Sequence, residues 1–198
     1  MAEDRLTRQM AFLAEADRLK GVLRASPVLG GQRRENAAEH SWHLALYALA
    51  LADQAGPEVR IDRVIRMLLI HDLVEVDVGD VPIHAGNGTS HDSAAVKAAE
   101  AAAAIRIFGL LPNDLRDDLH ALWQEFEAGE SPDAIFARSI DRVQPVMLNI
   151  WADGGTWAEY GVTWDQLDSR VGQRVARGAP RLWDWVAARA RAWFGPAA

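Results

Sequence analysis

The sequence contains no cysteine, and this absence excludes several kinds of chemistry at once. Disulfide bonds, thiolate nucleophiles, iron–sulfur clusters and cysteine-based zinc sites all need a thiol group that this chain does not have. A metal ion bound by this protein must therefore be held by histidine, aspartate and glutamate side chains.

Long apolar runs and an excess of positive charge are also missing. The longest apolar run covers residues 44–52, whereas a helix that spans a membrane needs about 20 apolar residues. The first 25 residues are too densely charged to contain a signal peptide. Lys+Arg number 21 and Asp+Glu 28, a net charge of -7 that argues against binding to nucleic-acid phosphates. We therefore expect a cytoplasmic protein that spans no membrane and binds no nucleic acid.

Helical periodicity dominates what the sequence does contain. Apolar residues recur at i, i+3 and i+4, and the alternation typical of strands is scarce. The spacing predicts an all-α fold and a single domain over residues 1–198, with a loop rich in Gly and Pro at residues 79–90. The predicted helices cover about residues 5–23, 36–52, 62–76, 92–108, 112–129, 131–150, 163–177 and 181–194. The first of them carries a stripe of Leu6, Met10, Leu13, Ala16 and Leu19.

A His-Asp pair interrupts one of the most apolar segments. His71 and Asp72 lie within residues 68–75, where an ionised carboxylate is costly to bury without a partner. Glu75 follows His71 by four residues, so an α-helix places both on one side. The dipeptide alone is a weak signal, because His91 and Asp92 form a second copy in a polar segment.

His40 and Asp141 also lie on apolar helices. If these helices pack together, both converge with the His-Asp pair and supply four potential metal ligands. The alternative is a structural one, in which the histidines are hydrogen-bonded core residues and Asp72 pairs with an arginine such as Arg66 or Arg138. Spacing alone leaves both interpretations open.

Several segments carry a joint pattern that is more specific than the dipeptide, with E-H-S, H-D-x-x-E-x-x-x-G-D-x-P and a distal aspartate. They are residues 19–24 (LKGVLR), 33–42 (RRENAAEHSW), 71–82 (HDLVEVDVGDVP), 122–130 (LWQEFEAGE) and Asp141. Together they resemble the HD-domain phosphohydrolases, most closely the YfbR-like 5′-deoxynucleotidases. The resemblance covers about residues 19–143, and residues 151–198 are expected to form a C-terminal helical extension.

The resemblance implies an HD-domain helical bundle in which His40, His71, Asp72 and Asp141 hold one divalent cation. Two imidazoles and two carboxylates suit Mn²⁺, Co²⁺, Fe²⁺, Zn²⁺ or Ni²⁺. The resemblance also implies that Glu75 is the catalytic acidic residue, which handles the proton of the attacking water.

Three further residues are implied at the edge of this site. Asp80 matches an aspartate that supports the site or binds a second, weaker cation such as Mg²⁺; the alternative is a solvated carboxylate. Arg24 and Arg33 match arginines that contact the substrate and neutralise its phosphate. The deoxynucleotidases have a tryptophan directly after the substrate arginine, where this chain has Ala25 and Ser26. Selectivity for 2′-deoxy sugars is therefore not predicted.

The resemblance implies a homodimeric metal-dependent phosphohydrolase that converts nucleoside or deoxynucleoside 5′-monophosphates to nucleoside and phosphate. One alternative is a non-catalytic module that binds a nucleotide or metal and regulates a partner. Another is a hydrolase of the same class acting on nucleoside triphosphates or a different phosphate ester. His84 and His91 are expected to be loop residues rather than ligands.

Overall fold

The computed structural model describes residues 4–84 and 93–195, and most of these are helical. The first seven helices are α1 (Arg5–Asp17), α2 (Ala37–Ala50), α3 (Ile61–Ile70), α4 (Glu75–Val78), α5 (Ala94–Phe108), α6 (Asn113–Ala128) and α7 (Pro132–Trp151). The later ones are α8 (Gly155–Glu159), α9 (Trp164–Leu167), α10 (Gln173–Gly178) and α11 (Pro180–Phe194). A π-helical turn (Asp168–Gly172) joins α9 to α10. The all-α class is confirmed, and no described helix is both long and apolar enough to cross a membrane.

A small hairpin replaces the predicted end of the first helix. The chain leaves α1 through a 3-10 turn (Arg18–Gly21) and forms β1 (Leu23–Pro27), which pairs antiparallel with β2 (Arg34–Asn36). The prediction of a helix to residue 23 was wrong because Gly21 is a poor helix former and Pro27 is compatible only with an edge strand. Strands of five and three residues are too short to show alternation in the sequence. As a result, Arg24 lies on a strand rather than at a helix end.

The predicted third helix is divided at the His-Asp pair. α3 ends at Ile70, a 3-10 turn (His71–Val74) follows, and α4 begins at Glu75. In a 3-10 turn, side chains at i and i+3 eclipse each other. Asp72 and Glu75 therefore share a side, as residues three apart also do in an α-helix. The predicted loop is described as far as His84, and His91 lies outside the described residues.

α7 is the central helix of the bundle. It packs against α2, α3 and α6 on the N-terminal side and against α10 and α11 on the C-terminal side. Buried apolar residues of these helices form one continuous core, which includes Leu44, Leu68, Ile140, Val175 and Val186. The C-terminal segment is thus joined to the rest of the molecule through α7, and through contacts of α8 with β1.

The start of α2 agrees with the sequence-based prediction, whereas the buried face of α1 does not. A capping box starts α2 at the predicted residue Asn36, where Glu39 N donates to the Asn36 side chain and Asn36 N donates to Glu39 Oε2. In α1, by contrast, Leu6, Met10 and Leu13 of the predicted stripe are more than half exposed. The core residue of this helix is Phe12 instead, because α1 packs on α5 with the neighbouring face.

The turn before α8 is closed by an aromatic cluster of the last helix. Trp157 is buried, and its ring lies 5.5 Å from Trp193 and 5.0 Å from Phe194. Gly154 has a φ of 98°, and a Cβ at this position would overlap the ring of Trp193. Glycine is therefore required here both for backbone conformation and for space.

Candidate metal centre and adjoining cavity

Three potential metal ligands from α2 and the 3-10 turn come together in the interior. Each of His40, His71 and Asp72 offers a ligand atom, and these atoms all lie within 4.8 Å of one another. His40 is fully buried, His71 is 5% exposed and Asp72 is 9% exposed. His40 is about 30 positions before the adjacent His71 and Asp72, and the packing of α2 against α3 brings it into contact with them.

Asp141 of α7 completes the cluster. Its Oδ1 lies 3.1 Å from His40 Nε2 and 3.7 Å from His71 Nε2. Burial by itself raises the pKa of Asp141, but the two imidazoles and Arg142 outweigh it and hold that pKa well below its usual range. The structure thus brings together all four residues that the resemblance implied as ligands, with an ionised carboxylate facing both rings.

Each imidazole is oriented by a hydrogen bond at Nδ1. His71 Nδ1–H donates to the carbonyl of Leu68 at 2.9 Å, and His40 Nδ1–H donates to Gln144 Oε1 at 3.1 Å. Both Nε2 atoms therefore face the carboxylates. Nε2 of His71 is buried without a hydrogen-bond partner among the described residues, although Asp72 Oδ1 lies 3.0 Å away. An unpartnered imidazole nitrogen between carboxylate oxygens fits a transition-metal cation.

The carboxylates around His40 favour a proton on its ring. Burial and Arg24 lower the pKa of His40, but Asp141, Glu35 and Asp72 outweigh them and raise it to about 9. Because a histidine ligand must be neutral, a cation binding here displaces this proton.

Gln144 is a buried partner of His40 that sequence reasoning missed. Its Nε2 donates to Glu35 Oε2 at 3.0 Å, and a carboxylate oxygen can only accept, so Oε1 must face His40. The available signal was spacing, because Gln144 follows Asp141 by three residues and lies on the same face of α7. Nε2 of Gln144 also lies 3.2 Å from Nδ1 of His43. This contact connects His43 to the cluster through Gln144.

Arg24 brings a buried positive charge to the acidic side chains of the cluster. From β1 its guanidinium lies 3.0 Å from Asp72, 3.4 Å from Glu35, 3.4 Å from Asp80 and 3.8 Å from Glu75. Burial opposes its charge, but the surrounding carboxylates raise its pKa above the ordinary value. Arg24 therefore holds four acidic side chains together in the interior.

The arginine partners proposed for Asp72 from spacing alone were wrong. Arg66 pairs with Asp118 on the surface, and Arg138 donates to the carbonyls of Phe126 and Glu127. The true partner, Arg24, is 48 residues away in sequence and is brought in by the hairpin.

Two acidic side chains lie next to the cluster. Burial, followed by repulsion from Asp72, raises the pKa of Glu75 well above its usual range, and Arg24 opposes this only in part. Glu75 Oε2 is buried and has no hydrogen-bond partner among the described residues. Asp80 is nearly buried rather than solvated; its Oδ2 accepts from Ala25 N at 3.3 Å, and burial raises its pKa.

A cavity opens beside this cluster. One end is formed by Arg24, Asp72, Glu75, Asp80 and Asp141, and the walls come from β1, the segment after α4, α7 and the C-terminal segment. His84 lines the cavity, where burial, Arg170 and Arg142 lower its pKa to about 4. The site is thus a cleft with a charged end.

Arg33 lies outside the cavity. Its guanidinium forms two hydrogen bonds to the carboxylate of Glu39, at 2.7 and 2.8 Å, and its side chain is more than half exposed. The carboxylate at the first turn of α2 thus holds Arg33 on the outer side of the hairpin. Among the arginines named from the sequence, only Arg24 reaches the site.

The fold and the site together define the class of protein. Residues 16–183 match the HD domain family, and the chain belongs to this family. The resemblance noted in the sequence is thereby confirmed. Because HD domains are associated with metal-dependent phosphohydrolysis, membership implies a divalent metal, with which the His-Asp cluster is compatible.

Individual relatives agree with this classification. A solved structure from Magnetospirillum magnetotacticum, described as a predicted metal-dependent phosphohydrolase, is 44% identical with a TM-score of 0.88, covering 98% of this chain and 100% of that one. The human 5′-deoxynucleotidase HDDC2 is 32% identical over 139 residues, which is 70% of this chain and 65% of the relative. A 5′-deoxynucleotidase of Klebsiella pneumoniae is 31% identical over 131 residues, covering 64% of this chain and 65% of the relative. The matched regions thus span slightly less than two thirds of these curated relatives.

Proposed function

We propose that this protein is a metal-dependent phosphohydrolase that converts nucleoside or deoxynucleoside 5′-monophosphates to nucleoside and phosphate. The observation that carries the proposal is the convergence of the His-Asp cluster, Arg24 and Glu75 at one end of a cavity. The names of the human and bacterial relatives support a nucleotide as the substrate.

In this proposal His40, His71, Asp72 and Asp141 hold the divalent cation. Mixed imidazole and carboxylate ligands favour Mn²⁺, Co²⁺, Fe²⁺, Zn²⁺ or Ni²⁺. When bound, the cation supplies Lewis-acid polarisation of the phosphate ester and makes water more acidic. Nε2 of His71 supports this assignment, because it faces the carboxylates of Asp72 and Asp141 and forms no hydrogen bond with the described residues.

Side chains around the cation perform the remaining steps. Glu75 accepts the proton of the attacking water at Oε2, which has no hydrogen-bond partner among the described residues. Arg24 binds a phosphate oxygen and offsets its negative charge. Asp80 positions Arg24 and the β1 backbone through contacts to both, which favours a positioning role over a second Mg²⁺ site.

Release of phosphate tests the proposal directly. The purified protein is stripped of metal, loaded with Mn²⁺ or Co²⁺, and assayed with nucleoside mono-, di- and triphosphates. We expect phosphate release from the monophosphates, abolished by chelation and restored by the added ion. Tight nucleotide binding without turnover contradicts the proposal and favours the non-catalytic module, and release from triphosphates alone favours the other hydrolase.

Gln144→Ala is expected to weaken metal binding without removing a ligand. The variant leaves His40 Nδ1 without its acceptor, so the ring is no longer held with Nε2 toward the cation. Loss of such an outer partner typically costs about 10- to 100-fold in metal affinity. Calorimetric titration with Mn²⁺ measures the change, and Gln166→Ala on the surface of α9 serves as the matched control. An unchanged affinity in Gln144→Ala contradicts the assigned role.

Three further expectations concern the domain organisation, the oligomeric state and the location of the protein. The continuous core supports one HD domain over residues 1–198, with residues 151–198 as part of it. Exposed apolar residues on α1, and on α2 at Trp42, Leu46 and Leu49, offer surface for a homodimer. A cytoplasmic location stays a prediction from the sequence.

A further inference from the structure

The cavity extends away from the candidate metal centre along one face of α7. Asp141, Pro145 and Asn149 follow one another at intervals of four residues, and all three line the cavity. Side chains four apart on an α-helix share a face, and each residue adds about 1.5 Å along the axis, so Asn149 lies about 12 Å from the level of Asp141. This length is comparable to that of a nucleoside from its 5′ oxygen to the far edge of its base.

The C-terminal segment forms the opposite wall at this far end. Trp157, Tyr160, Leu167 and Val171 line it with largely apolar surface, which is typical of pockets that enclose the ring system of a ligand. α8 is tied to the hairpin by an ion pair between Arg34 and Glu159 at 2.6 Å. α8 also packs directly on β1, the strand that carries Arg24, so the wall lies next to that arginine.

Asn149 presents a hydrogen-bond donor that no described residue accepts. Its side chain is 97% buried, and Oδ1 accepts from Thr156 N at 2.8 Å and from Thr156 Oγ1 at 3.0 Å. A backbone N–H can only donate, so Oδ1 must face Thr156 and Nδ2 must face away from it. Among the described residues, Nδ2 donates to no acceptor.

We propose that Asn149 donates a hydrogen bond from Nδ2 to the base of a nucleotide whose phosphate lies at the metal centre. Trp157, Tyr160 and Val146 enclose the ring of that base. Every common base carries carbonyl oxygens or ring nitrogens that accept hydrogen bonds. A single donor therefore lets the site distinguish nucleotides from phosphate esters that lack a base. It does not let the site distinguish one base from another. This inference rests on the proposed function and names its substrate class, nucleoside monophosphates of any base.

Steady-state kinetics of Asn149→Asp with AMP and ribose 5-phosphate test this inference. The two compounds share the sugar and the phosphate ester, and only AMP carries a base. The variant keeps an oxygen for Thr156 and loses the donor. We expect the KM for AMP to rise about 10- to 100-fold, the effect of an unpaired polar group in a buried site, with kcat nearly unchanged. Both constants for ribose 5-phosphate are expected to change less than about twofold.

A second pair of variants keeps the test independent of the folding of Asn149→Asp. Tyr160→Ala removes part of the wall, and Trp151→Ala removes an exposed aromatic residue that does not line the cavity. We expect only Tyr160→Ala to raise the KM for AMP, with the constants for ribose 5-phosphate unchanged. Equal changes for both substrates in Asn149→Asp and Tyr160→Ala indicate a structural role and overturn the inference.

The outcome also separates this inference from the proposed function. If the wild type hydrolyses ribose 5-phosphate as efficiently as AMP, the inference is wrong and the phosphohydrolase assignment stands. If neither these compounds nor their 2′-deoxy counterparts are hydrolysed with any metal, the proposed function is wrong. Calorimetric binding of AMP to the wild type and to Asn149→Asp then decides the inference, and equal affinities overturn it.

Discussion

Asp72→Ala is expected to abolish both metal binding and phosphate release. The variant removes one carboxylate of the proposed ligand set, and a directly bound group contributes more than the roughly 10- to 100-fold effect of an outer partner. Folding should survive, because the change relieves the repulsion of Glu75 by Asp72, and Arg24 keeps its contacts with Glu35, Glu75 and Asp80. Calorimetric titration with Mn²⁺ and Co²⁺ measures the loss, and thermal unfolding verifies that the variant is folded.

The matched control for this change is Asp118→Ala. Asp118 pairs with Arg66 on the surface, and exposed pairs of this kind contribute little to stability. We expect the control to bind metal and release phosphate like the wild type. A folded Asp72→Ala protein with wild-type metal affinity contradicts the proposed ligand set.

Glu75→Gln is expected to separate metal binding from turnover. Glutamine fills the same space and retains the polar contact with the site, but it cannot accept a proton from water. A positioned general base contributes about 10²- to 10⁴-fold to rate, so kcat should fall by this factor. The metal affinity and the KM for the nucleotide should stay close to the wild-type values, because Glu75 is not in the proposed ligand set.

Three measurements check this prediction: metal titration, single-turnover phosphate release and nucleotide binding. Glu15→Gln is a suitable control, because Glu15 pairs with Arg18 and Arg106 and does not line the cavity. If Glu75→Gln loses metal and turnover together, Glu75 belongs to the ligand set rather than to the proton-transfer machinery. If neither changes, its assigned role is wrong.

Helix starts and the residue types of the site were predictable from local sequence. The capping box of Asn36 and Glu39 needs only residues within one turn, and the structure contains it. The absence of cysteine limits the metal ligands to imidazole and carboxylate groups. The joint pattern around His40 and the His-Asp pair was specific enough to indicate the HD-domain family, which the family match confirmed.

The end of the first helix and its buried face were not predictable from local sequence, because both depend on contacts with distant residues. Helical periodicity predicted that the first helix extends to residue 23. In the structure, residues 23–27 pair with β2 and adopt an extended conformation instead. Likewise, the helical spacing of Leu6, Met10 and Leu13 indicated a buried stripe, yet the face that packs on α5 carries Phe12. A stripe on one helix cannot reveal which neighbour will cover it, since that depends on contacts far away in sequence.

By itself, the sequence determined the all-α class, the chemical types of the candidate ligands and the family. Only the tertiary structure decided which charges meet, because Arg24, Asp72 and Asp141 are separated by tens of residues and reach one another through the hairpin and α7. It also decided that Arg33 stays outside and that Gln144 orients His40. The C-terminal segment, which contributed nothing to the resemblance, lines the cavity because it packs on the same helix that carries Asp141.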